Sequence, residues 1–256
     1  MPSARHIQID EPLSVQAEEG RTDLHPLLRD IHATNTSNLS TLHSRGEVVF
    51  HEGEPARGVY ILRTGRATVS ISSSEGRLVI LRVARSGDVL GLNSTLRNSP
   101  YETTVKTLEP CRTDFLSNVQ LVRLMERSQA GTQVILKILG RELAELTERA
   151  KSLLLPQTAS GRLAKLLLEL GRENVREPAA PRIDKVFTQE EIAQMICSSR
   201  ETVTRLLAVL SRRHIIEITS DSILICDRAA LETMAGELSK SQNNVTVVTS
   251  NDSSKP

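Results

Sequence analysis

Between Ser198 and Arg205 the chain reads Ser-Ser-Arg-Glu-Thr-Val-Thr-Arg, which gathers two guanidinium forks and one carboxylate into eight residues. Wound as an α-helix at about 100° per residue, this run sets Arg200, Glu201 and Arg205 within an arc of roughly 140°. Val203, Leu206, Leu207 and Leu210 fall on the other side. One face can therefore seat in a core while the other holds two cations and an acid out to a partner. Arginine grips the O6 and N7 acceptors of guanine bidentately, and glutamate accepts from N4 of cytosine. These are the groups that reading G and C in a major groove requires. They also suit an ordinary solvated helix face, so the flanking elements must decide.

Upstream, Phe187-Thr188-Gln189-Glu190-Glu191-Ile192-Ala193-Gln194-Met195-Ile196 reads as a first helix. Thr188 is placed to be its N-cap, Glu191 three residues on completes a capping box, and Ile192, Met195 and Ile196 form the apolar stripe. Cys197-Ser198-Ser199 is a tight connection, and two short helices so joined make a helix-turn-helix. Downstream, Ile215–Thr219 and Ile223–Cys226 flank Ser220-Asp221-Ser222, a hairpin pattern with a polar tip.

The S-S-R-E-T-V-T-R helix, the F-T-Q-E-E-I-A helix before it and the hairpin after it resemble the winged helix of the cAMP receptor protein (Crp–Fnr) family of bacterial transcription factors. The resemblance implies a G-T-G-A half-site, with Arg200 and Arg205 taking guanines and Glu201 the cytosine opposite a guanine. It puts Thr188 and Ser199 at phosphates and Thr202 in the same DNA-facing set. Gln189 and Glu190 stand where relatives often have a basic residue and a glutamine.

From Gly46 to about Phe115, short β-like runs such as Val59-Tyr60-Ile61-Leu62 and Leu78–Val83 alternate with glycines, as in an antiparallel sandwich or barrel. Gly46–Gly65, with its G-E and E-G pairs, and Ser86-Gly87-Asp88-Val89-Leu90-Gly91 resemble cyclic-nucleotide-binding-like domains of the same family. The family's cAMP binders carry a Glu after that last glycine and an Arg-Ser pair for the cyclic phosphate. The pocket positions here are Gly91, Leu92, Asn93, Tyr101, Glu102 and Thr103, joined on the later helix by Thr147 and Glu148. Tyr-Glu in place of Arg-Ser removes a cation and adds a like charge where a phosphodiester needs cations or donors. The expectation is a degenerate pocket, no usual binding of cAMP, and an unidentified effector or none.

Thr132, Leu136, Leu139, Leu143, Leu146, Ala150 and Leu153 step by 4, 3, 4, 3, 4 and 3, the seam of a long dimerisation helix. Ile135 and Ile138 lie beside the seam, so part of that helix can also pack on its own barrel. A two-fold protein matches a palindromic operator with half-sites one DNA turn apart.

The fold expected is α+β, in five segments. A flexible arm takes 1–22, a cyclic-nucleotide-binding-like jelly-roll barrel 23–128, with one or two short helices near Leu27, Leu28 and Ile31, and a dimerisation helix 129–156 ending at Pro156. A winged helix-turn-helix takes 157–237, with Glu173–Asp184 as an exposed loop where some relatives of the family touch RNA polymerase, and a disordered tail fills 238–256.

A net charge of +1 over 256 residues does not suit a whole-surface polyanion binder. Locally, however, four arginines against Glu201 leave +3 between Ile196 and His214. The three cysteines, Cys111, Cys197 and Cys226, are scattered, which speaks for a reducing cytoplasm and against a disulfide framework or a four-thiolate iron–sulfur sensor. His43 and His51 are the candidates for a haem ligand, with hydrogen bonding or solvation the better reading of both. No window approaches the ~20 apolar residues that span a bilayer, and the polar start lacks a secretory segment. No His-x-His occurs for a cupin-type metalloenzyme. The expected partners are therefore double-stranded DNA, a second copy of the chain and RNA polymerase, with no membrane, catalytic residue, metal or cofactor. The competing reading is an effector-binding module whose winged helix contacts protein.

Overall fold

In the computed structural model, residues 40–154, 158–173, 182–184 and 186–236 are described. The arm, the segment around Leu27–Ile31, Pro156 and the tail lie outside them.

The N-terminal half is built of two four-stranded antiparallel sheets. One has β1 (Ser40–His43), β8 (Cys111–Ser117), β3 (Gly58–Thr64) and β6 (Val89–Leu90) side by side. The other runs β2 (Val48–Phe50), β7 (Thr104–Thr107), β4 (Ala67–Ser72), β5 (Leu78–Ala84). Strand β3 is buried on both faces, and its period of two sorts its side chains between two cores. Val59 and Ile61 join Val89 and Leu116 against the helices, whereas Tyr60 and Leu62 turn into the sandwich with Phe50, Val69, Tyr101 and Val105. Gly58 is glycine because a Cβ there would meet the Leu116 carbonyl oxygen at 2.2 Å.

A short helix α1 (Leu92–Arg97) follows β6. Helix α2 (Asn118–Arg127) starts at Ser117, whose hydroxyl and the Gln120 side chain form a reciprocal capping box. Ser128 separates α2 from α3 (Gln129–Leu154). Val134, Ile135 and Ile138 of α3 are buried against the sheet, so this helix does serve its own barrel.

The C-terminal unit packs α4 (Ala159–Glu173), α5 (Gln189–Met195), α6 (Arg200–Arg212) and α7 (Arg228–Ala235) around one core. Its small sheet has the order β10 (Ile216–Ile218), β11 (Ser222–Ile225), β9 (Arg182–Asp184). One expectation needs correction here. Residues 182–184, assigned to the exposed loop, form an edge strand, because Ile183 buries into the core and pairs with Ile223. Leu42 lies in β1 opposite Arg112. Among the described residues no helix is long and apolar enough to cross a membrane.

Candidate nucleic-acid interface and sensor pocket

Helix α6 is set by local chemistry at its start. Ser199 caps it, its hydroxyl accepting from the Thr202 N–H at 3.2 Å and lying 3.1 Å from the Thr202 hydroxyl. Thr188 caps α5 in a full capping box, accepting from the Glu191 N–H at 3.2 Å while its own N–H donates to the Glu191 carboxylate at 2.7 Å. Cys197 turns the chain between the helices in the left-handed region at φ 50°, which non-glycine residues seldom adopt. Val203, Leu207 and Leu210 then anchor α6 in the core.

The opposite face stands open. Arg200, Glu201 and Arg205 are exposed together, as the helical spacing requires, with Ser199 at their N-terminal edge and Thr202 half-buried beside them. The Glu201 carboxyl is held below its usual range, first by its own backbone N–H and then by the Ser199 hydroxyl. It is therefore an acceptor only, the state in which a carboxylate can take a cytosine amino proton. The Thr188 hydroxyl caps α5 and donates to Glu191 at 3.0 Å, and Ser199 accepts the Thr202 N–H; beside Ser199 it is chiefly the positive end of α6 that could attract a phosphate. One cross-helix contact went unforeseen: the Thr204 hydroxyl donates to the Gln189 side-chain oxygen at 2.6 Å. No sequence period signals a bond between residues fifteen apart on two helices.

The sequence matches two domain families. Residues 42–128 match the cyclic nucleotide-binding domain and residues 161–234 the Crp-like helix-turn-helix domain. A CRP-like cAMP-activated global transcriptional regulator of Mycobacterium tuberculosis is 31% identical over 188 residues, covering 73% of this chain and 84% of the relative. The chain belongs to the Crp–Fnr family. It is a transcription regulator of that type, with a helix-turn-helix DNA-binding domain. The anaerobic regulatory protein of Bacillus subtilis is 24% identical over 206 residues, 80% of this chain and 84% of that one. Among solved structures, FixK2 from Bradyrhizobium japonicum superposes with a TM-score of 0.68 at 22% identity, over 78% of this chain and 98% of that chain. A CRP-family regulator from Thermus thermophilus gives 0.66 at 26% identity, over 77% and 96%. Regulators of this family bind DNA and act as dimers, and members bind cyclic nucleotides.

At the Crp–Fnr sensor positions, Gly91 adopts φ 76° and opens α1 without a side-chain cap. A Cβ on it would sit 2.5 Å from the Tyr101 ring. Tyr101 is buried, stacks on Phe50 with centroids 3.9 Å apart, and donates its hydroxyl to the Gly58 carbonyl at 2.6 Å. Burial pushes its phenol up to about 12. Leu92 is buried too. The Glu102 carboxylate is held by Asn93 at 2.7 Å and by Arg97, and its backbone N–H donates to Ser94. Thr103 is half-buried next to it.

On α3 the seam residues divide. Leu136, Leu143 and Leu146 are 61%, 67% and 50% exposed, Ala150 is exposed, and Leu139 is half-buried against the barrel. The Leu153 side chain lies outside the described residues. Thr147 donates to the Leu143 carbonyl, and Glu148 pairs with Lys151 at 2.7 Å. Glu148 lines a cavity of about 310 Å³ among β5, α3, α4 and α5, whose walls include none of the Gly91–Thr103 set. Sequence reading missed this cavity because it forms where separate domains meet.

Arg82 ties the barrel to α3. It donates to Asp88 at 2.9 Å and to Glu142 at 3.3 Å, with Glu145 at 4.0 Å. Burial raises the Glu142 carboxyl, and Arg82 pulls the other way. His43 sits between Glu47 at 3.1 Å and the Thr113 hydroxyl at 3.0 Å, and His51 is exposed. The Cys111 thiol is buried against the carbonyls of Arg66 and Glu109, and burial raises it.

Proposed function

We propose that this Crp–Fnr regulator binds, as a homodimer, a palindromic operator with G-T-G-A-like half-sites. Arg200 and Arg205 take guanines and Glu201 takes a cytosine amino group, while the positive end of α6, at Ser199 and Thr202, lies against phosphate. Thr188 sits at the corresponding end of α5. The observation that carries this reading is one exposed face bearing two guanidinium groups and an ionised carboxylate on a helix anchored by Val203, Leu207 and Leu210. The exposed leucines of α3 support pairing with a second copy, since exposed leucines at a/d spacing need a partner helix to cover them.

The residues at the sensor positions do not fit a cyclic phosphodiester. Tyr101 brings no cation and its proton is committed to Gly58, and Glu102 adds negative charge. We therefore infer that the barrel does not take cAMP in the usual way. A selection from random duplexes, with and without cAMP, tests both parts. The expected winner is an inverted repeat containing G-T-G-A-like halves, enriched equally with and without the nucleotide. Recovery of unselected sequence overturns the DNA reading, and enrichment that needs cAMP overturns the pocket reading.

A further inference from the structure

Thr204 lies inside the reading face. Taking Arg200 as zero, helical spacing puts Thr204 at about 40°, Glu201 at about 100° and Arg205 at about 140°. It is exposed, one turn beyond Arg200 and next to Arg205. Its hydroxyl points back into the protein: Gln189 Oε1 lies at 2.6 Å and the Arg200 carbonyl at 2.9 Å. A hydroxyl has one proton, and two acceptors on the protein already share it. With that proton spent, the oxygen can only accept, so it has no bond to offer the O4 acceptor of a thymine; what Thr204 can offer a thymine is its γ-methyl group. Threonine is a middling helix former, and back-bonding to the fourth preceding carbonyl favours the helix less than alanine would. Helix stability alone therefore does not account for the residue.

The major groove has one apolar mark, the C5-methyl of thymine, and a threonine methyl is among the groups that contact it. We propose that Thr204, its hydroxyl braced by Gln189, reads the methyl group of a thymine lying between the two guanines taken by Arg200 and Arg205. Gln189 is a positioning residue: it turns the hydroxyl away from the groove. This inference rests on the proposed DNA reading and adds a fourth specificity contact to it.

The test uses the full chain and the selected operator duplex, with each thymine replaced singly by deoxyuridine, which deletes only the methyl. The wild type should lose roughly three- to fivefold in affinity at the thymine between the guanines, the worth of one buried methyl. Thr204→Val keeps a methyl branch and should retain that discrimination. Thr204→Ser keeps the hydroxyl and should bind thymine and uracil duplexes alike. Affinity for an unrelated duplex, which should be equal for all three proteins, controls for folding. If Ser retains the discrimination, or Val loses it, the hydroxyl is the reading group and the proposal fails. It fails likewise if uracil costs nothing, or costs only at a thymine outside the guanine pair, in a wild type that still selects its operator. A wild type with no sequence preference would instead sink the DNA reading, and this inference with it.

Discussion

Single side chains carry the recognition chemistry, and their removal should be selective. Arg200→Ala and Arg205→Ala should each cost about 1–3 kcal/mol on the operator and relax the preference at one guanine. Binding titrations against duplexes with that guanine exchanged check this, and uniform weakening on every duplex would reject the assignment. Tyr101 makes a second case. Tyr101→Phe leaves the stack on Phe50 and deletes the bond to the Gly58 carbonyl, which also accepts from Thr95, so the loss should be about 1 kcal/mol. The phenol also gives a pH signature. Its pKa is raised from 10.0 to about 12 on folding, so the unfolded chain releases the proton first. The contribution is intact below pH 10 and fades as pH climbs to about 12, by up to roughly 1.4 kcal/mol per unit. Urea midpoints should fall over that window in the wild type more steeply than in Tyr101→Phe. The exposed triad of α6 was legible from spacing alone, because a helix maps sequence interval directly onto angle. Tyr101 was read from its position only as a lost cation. Its burial against Phe50, fifty-one residues earlier, depends on how two sheets close, which no local pattern encodes.

Individual helices divide their labour by face. On α3, Ile135 and Ile138 face the barrel, whereas Leu136, Leu143 and Leu146 stand exposed. The two stripes should separate experimentally. Ile138→Ala should lower protomer stability by about 2–5 kcal/mol with little effect on self-association. Leu143→Glu should leave the fold intact and shift sedimentation equilibrium from dimer toward monomer; a dimer that survives it would place the interface elsewhere. The step pattern exposed this helix in the sequence, and the isoleucines beside it signalled the double duty. Other elements were harder to see. Helix α2 was not foreseen, although Ser117 and Gln120 stand at capping-box spacing, because it lies directly between a strand and a longer helix. Helix α1 has six residues, too few for a period to show. Strand β9 has three, next to Pro178 and Pro181, and only its pairing with β11 makes it a strand. The hairpin β10–β11 was readable because two apolar runs enclose a polar tip.

Across the whole molecule, the sensor, the long helix and the reading head are joined by few but definite links. Helix α5 packs against β5, Arg45 donates to the Val186 carbonyl at 3.3 Å, and Arg82 gathers Asp88 from the barrel and Glu142 from α3. The Glu142 carboxyl is raised above its ordinary 4.5 by burial, so the folded protein holds that proton more tightly than the unfolded chain. Its contribution is therefore full below about 4.5 and declines as pH rises through the raised value. Glu142→Gln should remove that decline. The stability difference between variant and wild type should move in the variant's favour from pH 4.5 to neutrality, as thermal melts at stepped pH would record. No change in the difference would mean that Arg82 compensates the burial in full. The domain order was legible because each part carries its own periodicity, whereas their mutual packing was not, since it rests on single long-range pairs. The seating of Tyr101 over Gly91 bears finally on how the chain can change. Arginine in place of Tyr101 would leave a void beside Phe50, glutamate in place of Leu92 would bury a charge where an apolar side chain packs, and Glu102 would still repel an anion. Each step toward a nucleotide seat is a loss when taken singly, so the present state works as a ratchet.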